Sequence, residues 1–176
     1  ELGMELFVLD DGWFKGRNTD KTSLGDWVVD ESKLPNGLDD LVKKITDLGL
    51  EFGIWFEPEM VSQDSDLYRS HPDWCLRSPH HDPIVGRNQL VLDLSRQEVC
   101  DYIIEAMSKI LDNSLITYVK WDMNRNMTEI GSTAWPAKKQ KEIAHRYMLG
   151  LYKILENINI FKDSLIKKTK KKRILN

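Results

Sequence analysis

"LITYVKWDMN", residues 115–124, runs from a β-favouring stretch straight into a lysine, a tryptophan, a carboxylate and an asparagine. Ile116, Thr117, Tyr118 and Val119 suit a pleated, half-buried strand, and the charge arrives where that run stops. Two earlier stretches have the same form. In "LFVLDDGW" the run from Leu6 to Leu9 ends at Asp10, Asp11 and Gly12, and in "EFGIWFEPEM" Ile54, Trp55 and Phe56 end at Glu57 and Pro58. "QLVLDLS", residues 89–95, is a fourth, shorter strand candidate.

Helical periodicity fills the intervals. Leu38, Leu41, Val42, Ile45 and Leu48 fall at helical spacing, with Gly49 placed as a stop. Ser95 and Glu98 have the spacing of a capping box, and Val99, Ile103, Ala106, Met107, Ile110 and Leu111 follow on one face. A third helix is expected from about Pro136, burying Ala144, Tyr147, Met148, Leu151 and Leu155. Strands alternating with helices imply a parallel sheet, either open and doubly wound or part of a closed barrel. No G-x-G-x-x-G or P-loop follows any strand. The C-terminal strand ends instead carry carboxylates, aromatics and a lysine, at the edge where barrel enzymes keep their sites. The expected fold is therefore α/β: a partial TIM (β/α)8 barrel of three to four βα units with parallel strands.

The 176 residues fall short of the about 250 of a closed barrel, and the chain opens on Glu1 within what reads as a helix end, so a fragment is expected. A hydrophobic content of 41% and a charged content of 30% match ordinary globular composition. No apolar run approaches the ~20 residues of a membrane span, and no membrane partner is expected. Cys75 and Cys100 sit in no metal-ligand spacing and read as buried thiols. His80 and His81 lie in a polar loop and read as solvated, so no metal is assigned. The net charge of -3 conceals a basic end, with seven basic residues and one acid from Lys162 onward. That tail lacks interleaved aromatics and the rest is acidic, which argues against a nucleic-acid partner.

On a strand alternate side chains share a face, so Lys120, Asp122 and Asn124 point together and Trp121 and Met123 point away. An ion pair at a strand end and a ligand site both fit this pattern. Asp10 and Asp11 either cap a turn or accept hydrogen bonds from vicinal hydroxyls, or bind a divalent metal. Trp13, Trp55 and Trp121 each lie beside such acids. Core packing explains any one of them, but ring faces beside acceptors are what a sugar needs, and three coincidences point to carbohydrate. Carboxylate chemistry on a carbohydrate points in turn to glycoside hydrolysis.

Six stretches sharpen this: "LFVLDDGWF", "LPNGL", "FGIWFEPEMVSQDSDLYRSHPDW", "GRNQLVLDLSRQEV", "YVKWDMNRNMTEIGS" and "AHRYMLGLY". In this order and spacing, from about Glu1 to about Asn157, they resemble the catalytic barrel of family 36 glycoside hydrolases, the bacterial type of α-galactosidase. The resemblance implies retaining hydrolysis of terminal α-D-galactose from galactosides such as melibiose or raffinose. It places the nucleophile on Asp122 and the sugar-binding residues on Asp10, Asp11, Trp55, Arg87, Lys120 and Asn124. It implies no metal or organic cofactor, a small galactoside or oligosaccharide as substrate, a homo-oligomeric parent and a cytoplasmic location.

Two departures stand out. "FKGR" replaces the family's usual F-G-K-R. After residue 157 the family continues into a fifth strand and a glycine-rich S-G-G-G-G-R-F-D segment, with the general acid/base aspartate beyond it. Here residues 158–176 are a lysine-rich tail without family counterpart, expected to be frameshifted or disordered. Residues 1–157 are thus expected to form a partial catalytic barrel with little activity alone. The same scaffold leaves room for α-N-acetylgalactosaminidase specificity, or for a carbohydrate-binding remnant without catalysis.

Overall fold

The computed structural model describes residues 3–113 and 115–173, with side chains through Ile158. Three strands form one parallel sheet: β1 (Leu6–Leu9), β2 (Glu51–Phe56) and β5 (Ile116–Trp121), in the order β1-β2-β5. Helix α1 (Gly37–Asp47) lies in sequence between the first two strands, the short α2 (Asp66–Ser70) follows β2, and α3 (Gln97–Leu111) precedes β5. Helix α4 (Ile143–Arg173) follows it. Successive parallel strands are neighbours, with no switch point among them, as an arc of a (β/α)8 barrel requires. The β1–β2 register pairs Phe7 with Phe52 and Leu9 with Ile54, and β2–β5 pairs Trp55 with Lys120.

The core lies between sheet and helices. Phe52, Ile54 and Phe56 of β2 are buried in one cluster with Leu38 and Val42 of α1 and with Val99, Ile103, Met107 and Leu111 of α3. Both helical stripes match the sequence pattern, apart from Leu48, which is largely exposed where α1 has already ended. Gly49, at φ +84°, closes α1 in the left-handed region that disfavours a Cβ.

Three expectations need correction. Residues 89–95 do not add a fourth parallel strand. Strand β4 (Gln89–Val91) pairs antiparallel with β3 (Met60–Ser62) in a separate two-stranded sheet. Apolar alternation marks a strand but not its partner, and here the long excursion between β2 and α3 folds back on itself.

Ser95 and Glu98 do not form a capping box. Arg96 is the N-cap, without a side-chain cap bond. The Ser95 hydroxyl donates to Asp93 and accepts from Trp135 Nε1, while Glu98 pairs with Arg96 at 2.8 Å. A buried carboxylate has drawn the serine away from the helix end.

The buried stripe of α4 is Ile143, Tyr147, Ile154 and Ile158, whereas Ala144, Met148 and Leu155 are exposed. The α-helix begins at Ile143 because Ala137–Glu142 form a 3-10 turn. The phase is set by Gly150, where an added Cβ would lie 2.0 Å from the Leu94 carbonyl oxygen. The helix packs most closely at a residue with no side chain, which an apolar pattern does not register. Of the expected tail, residues 158–173 continue α4, and its side chains beyond Ile158 lie outside the described ones.

Candidate active site

The site grows from the C-terminal end of β5. The ladder continues one step past the strand, with the Asp122 amide donating to the Phe56 carbonyl at 2.9 Å. Asp122 therefore leaves the sheet at a position fixed by β2. Its Oδ2 accepts from Trp55 Nε1 at 3.0 Å and from Asn124 Nδ2 at 2.8 Å, and its Oδ1 accepts from the Met123 amide at 2.9 Å. Partial burial pushes the Asp122 carboxyl upward. The donors from Trp55, Asn124 and Met123, with the Lys120 charge, outweigh that and hold it below the ordinary carboxylate value. Asp122 is thus a partly exposed anion, aimed by side chains from two neighbouring strand ends.

Lys120 reaches the end of β1. Its Nζ donates to Asp10 Oδ2 at 2.8 Å, a bond that lowers the Asp10 carboxyl and raises the Lys120 ammonium. From the opposite side, Arg87 Nη1 donates to Asn124 Oδ1 at 3.1 Å. Arg87, Asn124, Asp122 and Trp55 are therefore linked in one chain of hydrogen bonds, and Lys120 and Asp10 form a pair beside it. Asp11 stands apart. Arg17, buried, grips its carboxylate with Nε at 3.0 Å and Nη2 at 2.9 Å, so Asp11 is turned toward the loop after β1. Arg17 belongs to "FKGR", whose Gly16 takes φ +77°, so the altered order puts the glycine where the left-handed backbone needs it.

The tryptophans act differently from open ring platforms. Trp13 and Trp55 are 3% and 2% exposed, in an aromatic cluster with Phe14, Trp27 and Phe56. Trp13 Nε1 donates to the Trp55 carbonyl at 3.0 Å, locking the β1 loop to β2. Trp55 meets the site through its indole N–H. Trp121 donates to buried Glu59 at 2.9 Å, and Tyr147 donates to the same carboxylate.

Sequence reasoning passed over Glu57, Gln89, Arg17 and Arg125. Glu57, 1% exposed, accepts from the Asn124 amide at 2.6 Å and from Gln89 Nε2 at 3.0 Å. Burial pushes its carboxyl above the ordinary value despite these bonds. The available signal was two acids flanking Pro58 inside an otherwise apolar run from Ile54 to Val61. Among the described residues no group of three or more His, Cys, Asp or Glu side chains is gathered for a metal. No helix among them is long and apolar enough to cross a membrane.

A family model, Melibiase, matches residues 1–168. The alpha-galactosidase AgaA of Geobacillus stearothermophilus is 64% identical over 158 residues, covering 90% of this chain and 22% of that protein. The chain belongs to the melibiase family, glycoside hydrolase family 36. A crystal structure of an AgaA variant in complex with 1-deoxygalactonojirimycin superposes with a TM-score of 0.86 at 62% identity, over 90% of this chain and 22% of that one. Another AgaA variant, in complex with raffinose, gives 0.84 at 64% identity, over 88% and 21%. This melibiase-family chain therefore spans about a fifth of the length of the relatives it matches, and its three parallel strands are part of their barrel domain.

Proposed function

We propose that this chain carries the nucleophile half of a retaining α-galactosidase site. Asp122 attacks the anomeric carbon of a terminal α-galactosyl group as the glycosidic bond breaks, giving a covalent glycosyl-enzyme. Lys120, Asn124, Asp10 and Arg87 hold the sugar hydroxyls, Asp11 joins them through the part of its carboxylate that Arg17 leaves exposed, and Trp55 shapes the pocket floor. The observation that carries this reading is the Asp122 carboxylate, held anionic at a parallel strand end by donors from Trp55 and Asn124. A nucleophile must be ionised and aimed, and those two bonds supply both conditions. The AgaA complex with raffinose supports an oligosaccharide substrate with a terminal α-galactose.

A retaining mechanism also needs a protonated acid about 5–5.5 Å from the nucleophile. Among the described residues the carboxylates felt by Asp122 are unsuited to that task. Asp10 is lowered by Lys120, and Glu57 is enclosed with both oxygens occupied. The chain alone is thus a galactose binder with little or no turnover. Its buried free thiols, Cys75 and Cys100, fit a reducing, cytoplasmic compartment, and a homo-oligomeric parent follows from the family resemblance.

The test is paired. Galactose titrated against intrinsic tryptophan fluorescence is expected to give saturable binding that Asp122→Ala weakens, while an aryl α-galactoside stays uncleaved by the chain alone. Absence of binding in a folded sample overturns the site. Cleavage that Asp122→Ala abolishes overturns the claim of inactivity.

A further inference from the structure

Arg87 reaches the site from an unusual turn. Gly86 and Gln89 exchange backbone hydrogen bonds, at 3.0 Å and 2.9 Å, and the two residues between them, Arg87 and Asn88, take φ +51° and +58°. Such a two-residue turn needs a left-handed backbone at both positions, which suits Asn or Gly and strains an arginine. A strained turn persists only where its surroundings hold it.

Two side chains hold this one. Arg125 Nη1 donates to the Ile84 carbonyl at 2.6 Å and to the Gln89 carbonyl at 2.8 Å, clamping the base of the turn. Gln89, itself 3% exposed, reaches inward to Glu57 Oε2 at 3.0 Å. The other oxygen of Glu57 accepts the Asn124 amide at 2.6 Å. Asn124 in turn presents its side-chain oxygen to Arg87 and its side-chain nitrogen to Asp122. Glu57 follows directly on β2, so both attachments refer to the strand that also supplies Trp55.

We propose that Glu57 is a positioning residue that ties the turn carrying Arg87 to the segment carrying Asn124, and so sets the spacing of the two sides of the sugar site. It touches no substrate itself. One buried carboxylate is suited to this because its two oxygens accept from both sides at once, whereas an amide must turn a donor toward one of them. The inference rests on the galactoside reading of the site.

The experiment compares the full chain with Glu57→Gln and with the exchanged pair Glu57→Gln/Gln89→Glu. The exchange restores a carboxylate–amide pair and leaves an oxygen for the Asn124 amide. Affinity for 1-deoxygalactonojirimycin is measured calorimetrically, and the Asn124 amide proton is followed by NMR. Glu57→Gln is expected to weaken binding at least about tenfold and to move the Asn124 amide upfield, as a short bond to a carboxylate is lost. The exchanged pair is expected to recover most of the affinity, while its Asn124 amide, bonded to a neutral carboxamide oxygen, stays upfield of wild type. Wild-type affinity in Glu57→Gln, or no recovery in the exchanged pair, overturns the proposal. If the wild-type chain binds no iminosugar, the galactoside reading fails, and the Asn124 shift alone decides for or against Glu57.

Discussion

Trp55 Nε1 donates to Asp122 Oδ2 at 3.0 Å, from the middle strand of the sheet to the end of its neighbour. The bond joins a ring locked in the aromatic core to a carboxylate that remains partly exposed. Fold stability and site geometry therefore meet in one contact.

Replacing Trp55 with Phe keeps an aromatic ring and removes the donor. Asp122 is expected to titrate higher, back toward the ordinary value of about 4, as followed by its carboxyl carbon in NMR. Because its folded pKa is depressed, Asp122 contributes stability above the unfolded value that is lost as pH falls through the folded one. Trp55→Phe should shrink that contribution. Glu57 has the opposite sign, since a raised carboxyl costs stability as pH rises through its titration.

The Lys120–Asp10 pair is exposed, so it adds little to fold stability, and in the proposed site it holds a hydroxyl-binding geometry. Lys120→Met is expected to let Asp10 titrate higher and to weaken galactose binding about tenfold or more, with little change in Tm. A large fall in Tm with intact binding would show the pair to be structural.

Gly150→Ala tests how α4 is seated. Its Cβ would meet backbone at Leu94, 2.0 Å from the carbonyl oxygen, and backbone cannot rotate aside as a side chain can. A loss of about 1–3 kcal/mol is expected from such overpacking, measured by urea denaturation. An unchanged midpoint would contradict the close packing of α4 on the segment before α3.

Both thiols should be inert in the folded chain. Burial pushes Cys75 up to about 12 and Cys100 up to about 11, which leaves almost no thiolate near neutral pH. A disulfide reagent at pH 8 is expected to titrate them only after denaturant is added.

Much of this architecture is legible in the residues. Strand runs ending in charge locate β1, β2 and β5, and strand alternation alone groups Lys120, Asp122 and Asn124. What escapes is partnership. Gln89–Val91 looks like any apolar strand, and only the tertiary fold shows that it runs antiparallel to Met60–Ser62. Glu57 escapes for a related reason, because an acid beside a proline shows no sign of the amide and carboxamide that converge on it. Trp55 is expected beside the site from its sequence position, but only the structure shows that its N–H, rather than its ring face, is turned to Asp122.

The proposed role of Asp122 can be tested without a general acid. Fluoride leaves a glycosyl carbon without protonation, so α-galactosyl fluoride needs only an aimed carboxylate to react. After incubation with the folded chain, peptide mass spectrometry is predicted to find a galactosyl ester on the peptide containing Asp122 and none in Asp122→Ala. No adduct on the folded chain, or an adduct that survives Asp122→Ala, would contradict the assignment of Asp122.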